Sequence, residues 1–397
     1  MKKKLLFIIP SLSAGGAERS LINLLAILDF KKYEVDLFMF NHEGLFMELI
    51  PEDVHVLPLP ESYNRFVMPI RYSVSKFLMD KKAVLAYNRI MFSYKNKVSN
   101  NVSIGEQKSW KYMASAIEKM NKKYDAAIAF LEKTSIYFCA EKVDAVKKIG
   151  WVHNDYDKLG MDPFFDLNYF EKLDHIVTVS EECGHILKRR FPNQDKKIEV
   201  IHNIVSPKVI KQLSEKGTHD VFGRRGKETV ILSIGRLHTQ KGFELAVEAC
   251  SLLKDMGIQF QWNIIGEGEE RQRLTELIKA AGLQQYVRLL GLKSNPYPYV
   301  KQADIYAQTS RFEGKSIAID EAKILNKPIL ITNFSTAKDQ IVDGVEGLIV
   351  EMNAEAVALG ISELIHNQRI SKQMCEHLSQ LQLGTEEEIN KLYSLLG

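Results

Sequence analysis

Cysteine is scarce in this chain of 397 residues, and the four present, Cys139, Cys183, Cys250 and Cys375, are widely scattered. None forms a CxxC pair or stands at metal-ligand spacing from a histidine, which excludes a disulfide framework and a cysteine-based metal site. A reducing cytoplasm is the expected compartment. Net charge is also small, +3, too little to argue for nucleic acid. No stretch approaches the roughly 18 uninterrupted apolar residues that a membrane-spanning helix needs. The apolar run Leu5–Ile9 behind the first lysines is too short for the core of a signal peptide and is stopped by Pro10, so it reads as a buried strand. There is no GxGxxG turn, and Asp36 lies within its own strand, which excludes the usual NAD pattern. No DxD pair is read at a plausible strand end.

What is present is a soluble composition, 45% hydrophobic and 26% charged, in a chain long enough for two domains with separate cores. Strand-like and helix-like segments alternate in both halves. Strands are expected at Leu5–Ile9, Glu34–Phe40, Val54–Leu57, Ala126–Phe130, Lys148–Val152, His175–Val179 and Glu199–Ile201, with a helix from about Glu18. A second series runs from Val230–Ile234 through Gln261–Ile265, Val287–Leu290 and Ile305–Gln308 to Ile329–Ile331. Between them, 203–227 is rich in glycine and charge, including Gly217, Gly223 and Gly226, and marks a boundary near Ser206. Such alternation predicts two doubly wound α/β domains. The expected division is 1–205, 206–383 and a C-terminal helical run, 384–397.

Ser310–Thr332 carries the most chemical information. Glu313 stands before Gly314, Lys315 and Ser316, and Ile317, Ile319, Ala322, Ile324 and Leu325 then give the spacing of a buried helix closed by Pro328. The first amides of that helix are expected to face an open site that suits a phosphate. Glu321 lies eight positions beyond Glu313, so it can address another part of the same ligand. Upstream, SIGRLHTQKG places Arg236 and Lys241 on the turn after an expected strand, where two cations can neutralise a diphosphate leaving group without a metal. Gly15 and Gly16 permit a tight turn after the first strand, and His153 ends an expected strand in Trp151-Val-His-Asn154.

These strings resemble the motifs of the family-4 glycosyltransferases, retaining enzymes of the GT-B fold, in which two Rossmann-like domains face each other across a cleft. The resemblance rests on Glu313-x7-Glu321, on GRL…KG around Arg236 and Lys241, and on GGAER near the start. It implies a hexosyltransferase-type enzyme that uses a nucleotide-sugar donor, a UDP-sugar, and a glycan or lipid-linked acceptor in surface polysaccharide synthesis, such as capsule or lipopolysaccharide. It further implies that Glu313 and His153 contact the transferred sugar. Glu321 would bind the ribose, and Gly15, Gly16, Arg236, Lys241, Gly266, Gly291, Leu292, Gly314, Lys315, Ser316 and Ile317 would border the donor. His202 is read as structural. No cofactor or metal is implied, and nucleic acid is not an expected partner. The rivals are a sugar-nucleotide epimerase on the same architecture and a non-catalytic partner subunit.

Tyr63–Val98 matches no motif of that family. Arg65, Arg71, Lys76, Lys81, Lys82, Arg89, Lys95 and Lys97 stand there against the single acid Asp80. With apolar residues at Phe66, Ile70, Val74, Phe77, Leu78, Tyr87, Ile90, Met91 and Tyr94, the segment reads as a basic amphipathic helix pair. It suits an anionic membrane surface or a lipid-diphosphate acceptor, and equally a helical insertion packed on the domain. Peripheral attachment to the inner face of the plasma membrane is one expectation.

Overall fold

A computed structural model describes residues 1–397 apart from 1, 14, 100, 217–219, 224, 225 and 227, so Gly217 and the end of the expected boundary segment lie outside the described residues. The chain divides into two compact units: 1–13, 24–202 and 389–397 form the first, and 14–23 with 203–388 the second.

The first unit is built on seven strands: β1 (Lys3–Ile9), β2 (Tyr33–Met39), β3 (Val54–Val56), β4 (Lys123–Ala129), β5 (Asp144–Val152), β6 (His175–Thr178) and β7 (Ile198–Val200). They lie in the order β3-β2-β1-β4-β5-β6-β7, and every pairing is parallel. Leu5 to Ile9 are wholly buried, as a central parallel strand covered on both faces requires. The C-terminal helix Ile389–Leu396 belongs to this unit: Tyr393 stacks on Tyr33 at 5.5 Å, and Lys147 donates to the Leu395 carbonyl at 2.6 Å.

The second unit holds β8 (Thr229–Ile234), β9 (Phe260–Ile265), β10 (Val287–Gly291), β11 (Ile305–Gln308), β12 (Ile329–Thr332) and β13 (Leu348–Val350), again all parallel, in the order β10-β9-β8-β11-β12-β13. Sequence reading missed β13, a strand of three half-buried residues with no long apolar run. The unit begins at Asn203 rather than Ser206, because Thr385 pins that segment: its hydroxyl accepts from the Val205 amide at 2.8 Å and donates to the Asn203 carbonyl at 2.7 Å. The same anchor keeps residues 384–388 with the second unit.

Strand order reverses between β1 and β4 and between β8 and β11. Neighbouring loops diverge at the carboxyl ends of such strand pairs and leave a crevice for a ligand. The turns after β8 and β11 are those that carry Lys241 and Glu313.

Candidate functional site

The loop after β8 is fastened to the loop after β11 by backbone-directed bonds. Arg311 donates its amide to the Gln240 carbonyl at 2.7 Å, Gln240 Nε2 donates to the Phe312 carbonyl at 3.0 Å, and Thr309 Oγ1 donates to the Lys241 carbonyl at 3.1 Å. Gly242 allows this approach. It has φ 58°, and a Cβ there would stand 2.2 Å from the Thr309 carbonyl oxygen. Gly266 is similarly confined, with φ 153° and the Gly235 carbonyl 1.8 Å from where a Cβ would stand. Gly242 lets the loops after β8 and β11 come together, and the result is a short ion pair: Lys241 Nζ lies 2.5 Å from Glu313 Oε1. The same oxygen accepts from Ser310 Oγ at 2.6 Å and Gln308 Nε2 at 3.2 Å. Glu313 Oε2 has no partner among the described residues. Arg236 is exposed, with no side-chain partner among them. A buried, oriented carboxylate paired with one cation, Lys241, is therefore assembled at the β8/β11 switch point.

Glu321 sits in the helix Ile317–Ile324, which ends at left-handed Asn326 (φ 52°) ahead of Pro328. It is fully buried. Its Oε1 accepts from Arg19 Nη1 at 3.0 Å and from the Tyr297 hydroxyl at 2.9 Å, while Arg19 also donates to the Tyr297 oxygen at 2.7 Å. Burial pushes the Glu321 carboxyl upward, and Arg19 with Tyr297 opposes that shift. For Arg19, burial favours the neutral form, but Glu321 and Tyr297 together outweigh it and the net shift is upward.

The expectation that the first amides of this helix stand open is corrected at Ser316. Its amide donates to Gln340 Oε1 at 2.8 Å, its carbonyl accepts from Gln340 Nε2 at 2.9 Å, and its hydroxyl donates to Gln308 Oε1 at 2.9 Å. A buried carboxamide brackets the residue, so its polar groups are used internally. Ile317 is buried, and the Lys315 carbonyl accepts from Asn203 Nδ2 at 3.3 Å. Gly314 is buried, Gly291 ends β10 and Leu292 is exposed just beyond it. Gly15 precedes the helix α1 (Gly16–Ile27), which Gly16 opens; Ala14 lies outside the described residues.

In the first unit, the end of β5 is held by a carboxylate that sequence reading missed. Buried Glu132, just past β4, accepts from the His153 amide at 2.9 Å and from Asn154 Nδ2 at 2.8 Å. The His153 ring packs 4.9 Å from Phe130, and its Nε2 is buried with no partner among the described residues. Burial drives its pKa down to about 3, against the raising effect of the Phe130 carbonyl, so the ring is neutral. His202 Nδ1 lies 3.1 Å from the Val179 carbonyl, a contact that ties two loops together. Asp155 and Asp157 do form a DxD pair beyond β5, but Asp155 caps the next turn by accepting from the Asp157 amide, and Asp157 is paired with Arg189 and Arg190. Both carboxylates are engaged. Among the described residues, no group of three or more His, Cys, Asp or Glu is placed to hold a metal.

Residues 215–380, which include Arg236, Lys241, Glu313 and Glu321, match the family Glycosyl transferases group 1. Over 373 residues, 93% of this chain and 92% of its relative, the sequence is 27% identical to the N-acetylgalactosamine-N,N'-diacetylbacillosaminyl-diphospho-undecaprenol 4-alpha-N-acetylgalactosaminyltransferase of Campylobacter jejuni. The chain is a glycosyltransferase. A shorter stretch of 137 residues, 32% of the chain and 34% of the relative, is 34% identical to the amylovoran biosynthesis glycosyltransferase AmsK of Erwinia amylovora. The fold is also that of Anabaena HepE, solved in complex with UDP and glucose, at a TM-score of 0.69 and 17% identity over 99% of each chain. The two parallel-sheet units of this chain have the GT-B fold of these solved glycosyltransferases.

The basic segment of the glycosyltransferase forms three helices, not a pair: α2 (Glu61–Val67), α3 (Ile70–Met79) and α4 (Ala83–Val98). Proline at position 69 separates the first two, since it cannot supply the amide that a continuous helix needs. Tyr63, Phe66, Phe77 and Ala86 enter the core of the unit. Arg89 is not on the basic surface. It is buried over the rings of Phe66 and Phe92, donates to the Met68 carbonyl at 3.0 Å, and has its pKa lowered by burial. Arg65 pairs with Glu61 and Asp80. Arg71, Lys76, Lys81, Lys82, Lys95 and Lys97 form no ion pair among the described residues. The outer side of α4 is apolar: Val84, Tyr87, Tyr94 and Val98, exposed by 72%, 58%, 54% and 57%, fall with Met91 at the 3,4,3,4 spacing of one helix face. No helix among the described residues is long and apolar enough to cross a membrane.

Proposed function

We propose that this glycosyltransferase belongs to family 4 and is a retaining enzyme. In this reading it moves a sugar from a nucleotide-sugar donor, a UDP-sugar, to a glycan or lipid-linked acceptor of a cell-surface polysaccharide. The observation that carries the reading is the Lys241–Glu313 pair at the β8/β11 switch point, with one carboxylate oxygen fixed by three donors and the other open. The names of two relatives, a diphospho-undecaprenol-dependent transferase and an amylovoran transferase, support the acceptor class. The UDP bound in Anabaena HepE supports the donor class.

In the reaction as proposed, the acceptor hydroxyl attacks the anomeric carbon on the face from which the diphosphate departs. The bond between that carbon and the phosphate oxygen breaks, and the departing oxygen takes the hydroxyl proton. The products are a nucleoside diphosphate and the lengthened acceptor. Arg236 and Lys241 neutralise the charge that grows on the leaving group. Glu313 contacts sugar hydroxyls and opposes the positive charge at the anomeric carbon, while neutral His153 offers Nε2 to the sugar. Glu321 takes the ribose. No metal takes part. The enzyme is proposed to act in the cytoplasm, attached peripherally to the inner face of the plasma membrane through residues 63–98, whose unpaired lysines and exposed apolar face suit anionic lipid.

The test is transfer from a panel of nucleotide sugars in EDTA, with the configuration of the first product read by proton NMR. Metal-independent transfer from a UDP-sugar with retained configuration is expected. Inversion, or loss of transfer that manganese restores, would overturn the corresponding part of the proposal.

A further inference from the structure

Glu321 is the most deeply buried acid of the site, and its surroundings on every side are defined. Tyr297 faces it from the helix Tyr297–Gln302 and Arg19 from α1, while Asp320 precedes it and the Tyr306 phenol on β11 lies near enough to feel its charge. Arg19 and Tyr297 converge on the same oxygen, Oε1. Their hydrogens are ordered by chemistry. A guanidinium can only donate, so the 2.7 Å contact makes the Tyr297 oxygen the acceptor from Arg19 and sends the phenol hydrogen to the carboxylate. The Arg19 guanidinium also lies over the Tyr297 ring, 5.3 Å from its centre, so a single rigid side chain braces both partners. Glu321 Oε2 has no partner among the described residues.

We propose that Arg19 is a positioning residue for nucleotide recognition. With Tyr297 as relay, it clamps Glu321 Oε1 so that Oε2 is held, ionised, toward the vicinal hydroxyls of the ribose. This deepens the ribose assignment of Glu321 and rests on it. The physical reason for a clamp is that burial opposes charge on this carboxyl, and the acids and phenols around it supply no compensating cation. Arg19 supplies that cation from one side and leaves the ligand side free. A carboxylate with one oxygen fixed also loses little freedom on binding, so two ribose hydroxyls can be taken in a defined plane.

The experiment is calorimetric binding of UDP and of 2′,3′-dideoxy-UDP to the full chain, wild type and Arg19→Gln, with Tyr297→Phe as a milder variant. The two nucleotides differ only in the hydroxyls, so diphosphate contacts and diphosphate titration cancel in their ratio. Wild type is expected to prefer UDP by about tenfold or more, the usual effect of hydrogen bonds to a charged acceptor. Arg19→Gln is expected to reduce that preference to about threefold or less at pH 6 and to recover part of it toward pH 8. The sign follows from removing the cation: the Glu321 pKa rises further, and the ionised acceptor returns only as pH rises. Tyr297→Phe is expected to lose part of the preference without a new pH dependence, and it decides the matter if Arg19→Gln does not fold. Equal weakening of both nucleotides in Arg19→Gln would mean that Arg19 serves the phosphates, and an unchanged preference in both variants would mean that it serves only the fold; either overturns the proposal. If wild type shows no preference for UDP, the ribose assignment itself fails and the clamp falls with it.

Discussion

The motif loops of the second unit and the helices α3 and α4 of the first depart from ordinary partition in opposite ways. At the motif loops, charge is buried. Glu313, Glu321 and the head of Lys241 are withdrawn from water, and each has a partner at hydrogen-bond distance. On α3 and α4, apolar surface is left outside. Leu78, Met79, Val84, Tyr87, Tyr94 and Val98 are exposed, although Phe66 and Phe77 from the same segment are fully buried. Desolvating a carboxylate is costly unless it is paired and oriented, and exposed apolar area is unfavourable unless something covers it. The first departure is compensated inside the chain, which suits a preorganised reaction centre. The second has no compensation among the described residues, which suits a surface completed by an outside partner.

The largest expected effect bears on the buried-charge side. Lys241→Ala and Arg236→Ala should each lower turnover by roughly two to three orders of magnitude, the usual consequence of removing one preorganised donor from developing charge. Steady-state kinetics of transfer check this, and wild-type turnover in both variants would leave the ion pair a structural detail.

The exposed side of the comparison is tested on liposomes. Replacing Lys76, Lys81, Lys82 and Lys97 with glutamine should release the protein from anionic vesicles in flotation assays, at about 1 kcal/mol per basic residue near the surface. Arg89 is left in place because it supports the fold. Tyr87→Ser with Tyr94→Ser should weaken the part of binding that survives high salt, since an apolar contact is not screened. Donor binding should be unchanged in both variants. If the wild type ignores anionic vesicles at low salt, the contrast between the two regions loses its functional meaning.

A smaller effect concerns acid stability. His153 has a folded pKa of about 3 against 6.5 when unfolded, so the unfolded chain binds the extra proton between those values. Its contribution is present above pH 6.5 and is lost as pH falls toward 3, at no more than about 1.4 kcal/mol per pH unit. His153→Asn should flatten that part of the urea-unfolding profile. An unchanged slope would mean that the ring is not held neutral.

Much of the fold was legible because parallel strands covered on both faces read as apolar runs. Leu5–Ile9 and Gln261–Ile265 are of this kind, and both lie within buried strands. The exposed face of α4 was half legible. Its spacing was plain, but whether Tyr87 and Tyr94 point inward depends on which face Ala86 and Arg89 take, and only packing decides that. At the site, Glu313, Lys241 and Glu321 were readable from local strings. Glu132, Gln340 and Tyr297 were not, because each acts on a residue distant in sequence through one side-chain contact that leaves no periodic trace. The cap on the Ser316 amide is the instructive case. A helix start implies open amides by rule, and a buried glutamine takes up the one at Ser316.

The two carboxylates of the motif supply the most direct measurement. Glu313 is assigned to the reacting sugar and Glu321 to the unchanging ribose, so Glu313→Gln and Glu321→Gln should differ in kind when kcat and donor KM are measured with a saturating acceptor. The account predicts that Glu313→Gln lowers kcat by about a hundredfold or more with little change in donor KM, and that Glu321→Gln raises donor KM by about tenfold while kcat stays within a few-fold of wild type. The reverse pattern, with the loss of turnover at Glu321 and the loss of donor binding at Glu313, would contradict it.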